Sequence, residues 1–158
     1  MTEDLEQGLR AALASGAGDA RFAAVLAAVQ RAFGAQMGTL HRLGDDAHLH
    51  LVAASPGIPE PVLAASRRIP LGKGIAGEAA ATGKPVSLCN LQTDTSGVAR
   101  PGAKATGLGG SLCVPTFDGD RVAGALGIGW MGERTISDDE TAELLAAGRV
   151  VGPVLAQG

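Results

Sequence analysis

The stretch Ser111-Leu112-Cys113-Val114-Pro115-Thr116-Phe117-Asp118-Gly119-Asp120-Arg121-Val122-Ala123-Gly124-Ala125-Leu126-Gly127-Ile128-Gly129-Trp130 decides the fold. Asp118-Gly119-Asp120 separates two runs of strand composition, and Asp-Gly at such a junction is a strong hairpin signal because it accepts left-handed backbone angles. In the second run Val122, Leu126, Ile128 and Trp130 fall on one side, and Ala123, Ala125, Gly127 and Gly129 on the other. A face of small residues either admits a helix closely or leaves room for a ligand. Close helix packing is the expected cause, since protein interiors avoid voids.

Upstream, Met37 to Leu43 and Ala47 to Ala53 flank Gly44-Asp45-Asp46 and read as a second hairpin. Pro85 to Cys89 is a further strand, and Glu60 to Ser66 a short helix. Gly72-Lys73-Gly74 opens an alanine-rich helix that stops at Gly83; without the Gly-Lys-Ser/Thr order of a phosphate loop, Gly72 and Gly74 read as backbone angles for a tight helix start and Gly77 as close packing. Leu5, Leu9 and Leu13 recur at helical spacing after Thr2. Phe22, Leu26, Val29 and Phe33 do so between a capping Asp19 and a terminating Gly34. Ser137-Asp138-Asp139-Glu140 is a capping box for a last helix, whose Gly148, Gly152 and Pro153 are expected to bend or fray its end. Residues 90 to 109 show no period, and so long a loop in a compact domain is usually functional or mobile. The result is an α+β domain with an antiparallel sheet of five or six strands, the terminal helices together on one face. Residues 1–18 read as an N-terminal helix and 19–158 as the domain proper.

Composition narrows the function. The chain has 158 residues, net charge −3, 46% hydrophobic and 18% charged residues, values typical of one globular domain. Lys and Arg do not cluster as nucleic-acid binding requires, so no nucleic-acid partner is expected. The acidic start Met1-Thr2-Glu3-Asp4-Leu5-Glu6 and the lack of an apolar run of membrane-spanning length predict a cytoplasmic protein with no membrane partner. Cys89 and Cys113 form no CxxC or disulfide framework and are expected as free thiols. A redox pair needs Cα atoms within about 7 Å.

The blocks Ile69-Pro70-Leu71-Gly72-Lys73-Gly74-Ile75-Ala76-Gly77, Thr82-Gly83-Lys84-Pro85-Val86, Leu112-Cys113-Val114-Pro115 and Asp118 to Leu126 occur in an order and spacing that resembles the GAF family of sensory domains, over roughly residues 19 to 157. The resemblance implies a ligand pocket on the sheet face away from the terminal helices, roofed by the segments before and after the third strand. It implies a small-molecule sensor; the apolar stripes that Leu5, Leu9, Leu13 and residues 150 to 155 leave on the two end helices predict that it acts as a homodimer, or through a signalling protein partner. A ligand-free protein-interaction scaffold is the alternative, and after it a free methionine sulfoxide reductase-like or thiol redox protein.

The candidate ligand-binding residues are Thr39, His41, Leu71, Ala76, Cys89, Asn90, Asp94, Arg100, Lys104 and Leu112, with Cys89 and Cys113 as redox candidates and Arg67, Arg68, Arg100 and Lys104 as an anion-attracting mouth. Cyclic-nucleotide-binding members carry an Asn-Lys-x-x-x-Phe-x-x-x-Asp-Glu pattern, of which this chain keeps only Asn90 and Asp94. The free methionine sulfoxide reductases of the family carry Gly-x-Cys-Gly, and this chain has Gly74-Ile75-Ala76-Gly77, with Ala76 in place of the cysteine. From these departures the chain is expected not to be an enzyme, to have no catalytic residues and no cofactor, and to bind an unknown small molecule. His41, His48 and His50 invite a metal reading, but no carboxylate or cysteine cluster accompanies them and no metal is expected.

Overall fold

The computed structural model describes residues 1–98 and 106–158. Among them, α1 (Glu3–Ala14), α2 (Arg21–Phe33), β1 (Met37–Leu43), β2 (His48–Ala54), α3 (Glu60–Ser66), β3 (Arg68–Pro70), α4 (Gly74–Thr82), β4 (Val86–Leu88), β5 (Ser111–Asp118), β6 (Arg121–Gly129) and α5 (Asp138–Leu155) follow in chain order. The strands form one six-stranded sheet in the order β3-β2-β1-β6-β5-β4, every neighbouring pair antiparallel. Arg68–Pro70 is the strand that its three-residue length hid in the sequence. Both hairpins form where the turns placed them, the second closing Asp118 against Arg121.

α1, α2 and α5 cover one face. Their core holds Leu9, Phe22, Leu26 and Leu144 with Leu40 of β1, Leu112 of β5 and Leu126 of β6. Leu5 and Leu9, expected to serve a dimer, are spent inside this core, while Leu13, Val150 and Val154 of that stripe stay partly exposed and Pro153 is exposed.

Two helix ends close differently from expectation. Asp19 makes no cap to α2; its carboxylate pairs with Arg42 at 2.8 Å, which holds it below the usual carboxylate range. Arg42 also donates from Nε to the Leu155 carbonyl at 2.7 Å, satisfying an orphan acceptor at the end of α5. The capping box at Ser137 and Glu140 forms as read.

α5 runs unbroken to Leu155 through Gly148, Gly152 and Pro153. The expected fraying is absent because the glycines face the sheet. A Cβ on Gly148 would stand 2.9 Å from the Pro115 carbonyl oxygen, and one on Gly152 would overlap the Phe117 carbonyl. Hydrogen in place of methyl lets α5 rest on the backbone of β5.

Gly152→Ala is therefore expected to destabilise the protein by about 2–4 kcal/mol, the overlap outweighing the ~1 kcal/mol that alanine gains over glycine inside a helix. Gly8→Ala in α1, where the new methyl meets Ala28 Cβ at 3.6 Å, is expected to gain up to about 1 kcal/mol. Urea unfolding of the two variants side by side checks the opposite signs.

Candidate functional site

The opposite sheet face is built from three rows that run across β1, β6 and β5. Thr39 pairs with Gly127 and Gly127 with Cys113; Met37 pairs with Gly129 and Gly129 with Ser111; His41 pairs with Ala125 and Ala125 with Pro115. In the first two rows the middle residue has no side chain; Leu108 fills the space over Gly129, and the floor is hollow at Gly127. A cavity of about 310 Å³ lies over this hollow, within the size range of small-molecule pockets. The bare face of β6 thus serves three purposes: Ala125 packs with Ala79 and Ala80 of α4, as expected, Gly129 receives the Leu108 side chain, and Gly127 leaves space instead of receiving a helix.

The roof comes from local chemistry near α3 and α4. Val62, Ala65 and Ser66 of α3 line it, with Ile75 and Ala76 from the first turn of α4. Gly72 and Gly74, at φ 88° and 68°, turn the chain sharply into α4. No side chain caps that helix, and its N-cap residue Lys73 lines the cavity. Ile58 and Ile69 also line it, as do Leu91, Thr106 and Leu108. The Leu91 and Leu108 segments are pinned by Leu91 N donating to the Gly109 carbonyl at 2.6 Å and Gly109 N to the Trp130 carbonyl at 2.7 Å.

Of the residues expected at the site, Thr39, His41 and Ala76 line the cavity, and so does Cys113. Leu112 does not. In an extended strand successive side chains alternate, so Leu112 joins the helix-side core while Ser111 and Cys113 face the cavity. Leu71 is exposed in a turn held by its N–H to the Ala47 carbonyl. Asn90 accepts from Gln92 N at 3.1 Å and Asp94 from Ser96 Oγ at 2.6 Å, both as loop-shaping contacts away from the wall. Arg100 and Lys104 lie outside the described residues. Arg67 and Arg68 are exposed and paired with Glu60 and Asp46 rather than set at the cavity. Among the described residues Lys73 is the charged one on the wall, missed because it was read only as part of a glycine-rich turn.

Cys89 is exposed and off the wall. The register Leu88 to Ser111 places it three residues along from Cys113, roughly 10 Å at strand spacing and beyond disulfide reach. The expected redox pair is therefore not formed. Burial pushes the Cys113 thiol up to about 12.

His48 and His50 are likewise not brought to the cavity. Asp46 collects His50 Nε2 at 3.0 Å, Arg68 and the His48 N–H, and these partners push its carboxyl down to about 2. Among the described residues no group of three His, Cys, Asp or Glu side chains is placed to hold a metal ion.

His41 differs from both. It is 2% exposed, its Nε2 stands 2.7 Å from the Ser66 carbonyl, and its Nδ1 is buried with no partner. Burial in this apolar wall lowers its pKa from 6.5, outweighing the raising effect of the Ser66 carbonyl, with the nearby His50 lowering it further.

A sequence model of the family described as "GAF domain" matches residues 19–156. No curated protein sequence matches the chain. Among solved structures, free methionine-R-sulfoxide reductase from Neisseria meningitidis, in complex with its substrate, is 19% identical with TM-score 0.78, over 98% of this chain and 89% of its own. The GAF domain of an Acinetobacter phosphoenolpyruvate-protein phosphotransferase is 17% identical with TM-score 0.78, over 99% and 96%. A Burkholderia vietnamiensis protein described as a GAF sensor is 20% identical with TM-score 0.76, over 98% and 94%. The expectation that the chain is not an enzyme is corrected by the first of these. An enzyme shares this fold over nearly the whole chain, so the departures at Ala76 and its neighbours do not exclude catalysis.

Two outcomes are expected from these microenvironments. Native protein at pH 8 is expected to alkylate at Cys89 alone, and denatured protein at both cysteines, as counted by mass spectrometry. For His41 the unfolded ring binds a proton below about pH 6.5 while the buried ring resists it, so stability is full above that pH. It is lost as pH falls below it, by up to about 1.4 kcal/mol per pH unit. Chemical denaturation between pH 7 and 5 is expected to show this slope, and His41→Gln to flatten it.

Proposed function

The chain belongs to the GAF domain family, and from that premise we propose that it is a sensory module whose cavity takes a small, largely apolar molecule. One observation carries the reading. Gly127 hollows the middle of the sheet beneath a wall of aliphatic side chains, where close packing would otherwise be the rule. A scaffold with a collapsed pocket would have filled that space. Occupancy draws α3, α4 and the Leu91 and Leu108 segments onto the ligand. The change is passed to a partner protein or to a second copy along the strip Leu13, Val150 and Val154, which the core leaves partly exposed.

A second reading, a thiol-dependent reductase, is favoured by the position of Cys113 on the cavity wall and by the reductase of the same fold that holds its substrate. Consumption of free methionine-R-sulfoxide with a dithiol, abolished by Cys113→Ser, is the result that would install it.

Native mass spectrometry of freshly purified protein beside its denatured mass tests the first reading. Added noncovalent mass is expected in the wild type. It is expected to be much reduced in Gly127→Ala, whose new methyl occupies the hollow at ordinary contact distance, 3.4 Å from Thr39 Oγ1 and 3.6 Å from Cys113 Sγ. That methyl disturbs little else, so Gly127→Ala should be as stable as wild type or slightly more so. A bare species in every preparation, or binding indifferent to Gly127→Ala, overturns the proposal.

A further inference from the structure

Two of the cross-strand rows beneath the cavity have glycine at their centre, and the fold treats the two glycines differently. The three atoms nearest to a Cβ built on Gly127 all belong to its row neighbours Thr39 and Cys113, at 3.4 to 3.8 Å. A Cβ on Gly129 would instead overlap Leu108 Cδ1 and stand 3.2 Å from Cδ2 and 3.3 Å from Cγ. Leu108 therefore lies flat on the bare backbone of β6. It is 8% exposed and lines the cavity. One hollow is open, and the next along the strand is plugged.

The plug is held from behind. Leu108 N donates to Thr106 Oγ1 at 3.1 Å, and the Leu108 carbonyl accepts from Gln92 Nε2 at 2.8 Å. Gly109 N donates to the Trp130 carbonyl at 2.7 Å, its own carbonyl accepts from Leu91 N at 2.6 Å, and Gly110 N donates to the Gly132 carbonyl at 2.9 Å. A Cβ on Gly109 would overlap the Gly132 backbone, so this segment rests directly on the chain that leaves β6. Withdrawing Leu108 from Gly129 would break several of these bonds together and open a void over the strand. That loss exceeds what one more buried methylene of a ligand returns.

Building on the reading of this cavity as a ligand site, we infer that Leu108 is the residue that sets the size of the ligand, and that the ligand class is a compact aliphatic molecule seated over Gly127 between Thr39 and Cys113. A chain long enough to extend over Gly129 meets the Leu108 methyls and is excluded. Ile69, Ile75 and Leu91 on the wall are aliphatic, and none of the described lining residues is aromatic. Affinity therefore grows with the hydrocarbon buried, up to the length at which Leu108 stops it.

A homologous series reads that stop directly. The probes are the linear 1-alkanols from 1-butanol to 1-octanol, and their dissociation constants are measured by NMR titration of the wild type, Leu108→Ala, Leu108→Val and Gly127→Ala. In the wild type each added methylene is expected to tighten binding about fourfold until the chain meets Leu108, beyond which affinity stops rising. Leu108→Ala removes the three carbons that cover Gly129 and is expected to move this break about two carbons longer, with the shorter alkanols unaffected. Leu108→Val, which keeps more of the packing, is expected to move it about one carbon and decides the matter if Leu108→Ala does not fold. Gly127→Ala is expected to weaken every member of the series.

A break that stays in place in the Leu108 variants, or wild-type affinity that climbs without a break to 1-octanol, overturns the inference. If Gly127→Ala still weakens binding in that case, the cavity reading stands without it. If no alkanol binds the wild type, or if binding ignores Gly127→Ala, both readings fall together.

Discussion

Everything in this fold hangs on the close approach of α5 to β5. Gly148 and Gly152 present no side chains to the Pro115 and Phe117 carbonyls, so the helix lies directly on the strand backbone and one sheet face is sealed. With α5 seated, Leu144, Val151 and Leu155 reach the core that α1 and α2 complete, and Arg42 reaches the helix end to satisfy the Leu155 carbonyl. Burial on this side supplies the apolar area that a domain of this size needs to be stable.

The second face is thereby freed from a full packing duty, and it is built differently. Its floor is a sheet with glycines at the centre of two cross-strand rows, and its roof is made of short elements: a seven-residue helix, the first turn of a nine-residue helix, and loop residues. α4 completes a small second core with Leu49, Ile69, Cys113 and Ala125, which fixes one side of the cavity. The roof over α3 has no buried residue of its own and is tied to the floor through His41 and the Ser66 carbonyl. A stiff floor beneath a lightly held roof is the mechanical arrangement a ligand-responsive site requires.

The same scaffold carries a reductase in one structure and sensor-type domains in others, so the fold leaves the chemistry to the wall. Among the described residues that wall presents a thiol whose pKa burial raises, an imidazole whose basicity burial lowers and Lys73 at a helix start without a side-chain cap. A thiol with its pKa near 12 is a poor nucleophile at neutral pH. The aliphatic surface of the cavity is the part suited to selective binding.

Much of this was legible in the chain itself. The Asp118-Gly119-Asp120 turn, the capping box at Ser137 and the helical spacing of Phe22, Leu26, Val29 and Phe33 specify their elements because each depends on neighbours within a few residues. The position of Thr39 and His41 on one face of β1 followed from strand alternation alone. Other features required partners distant in sequence. The assignment of Leu112 to the wrong face turned on a register set by β4 and β6, and the redox reading of Cys89 and Cys113 turned on a three-residue offset between strands. The glycines of α5, read locally as weak helix formers, are contact residues because β5 lies against them. The cavity itself exists only where Gly127 and Gly129 meet α3, α4 and Leu108 in space. Local periodicity determines which elements form; the sizes and charges left facing one another across them are decided only when the sheet closes.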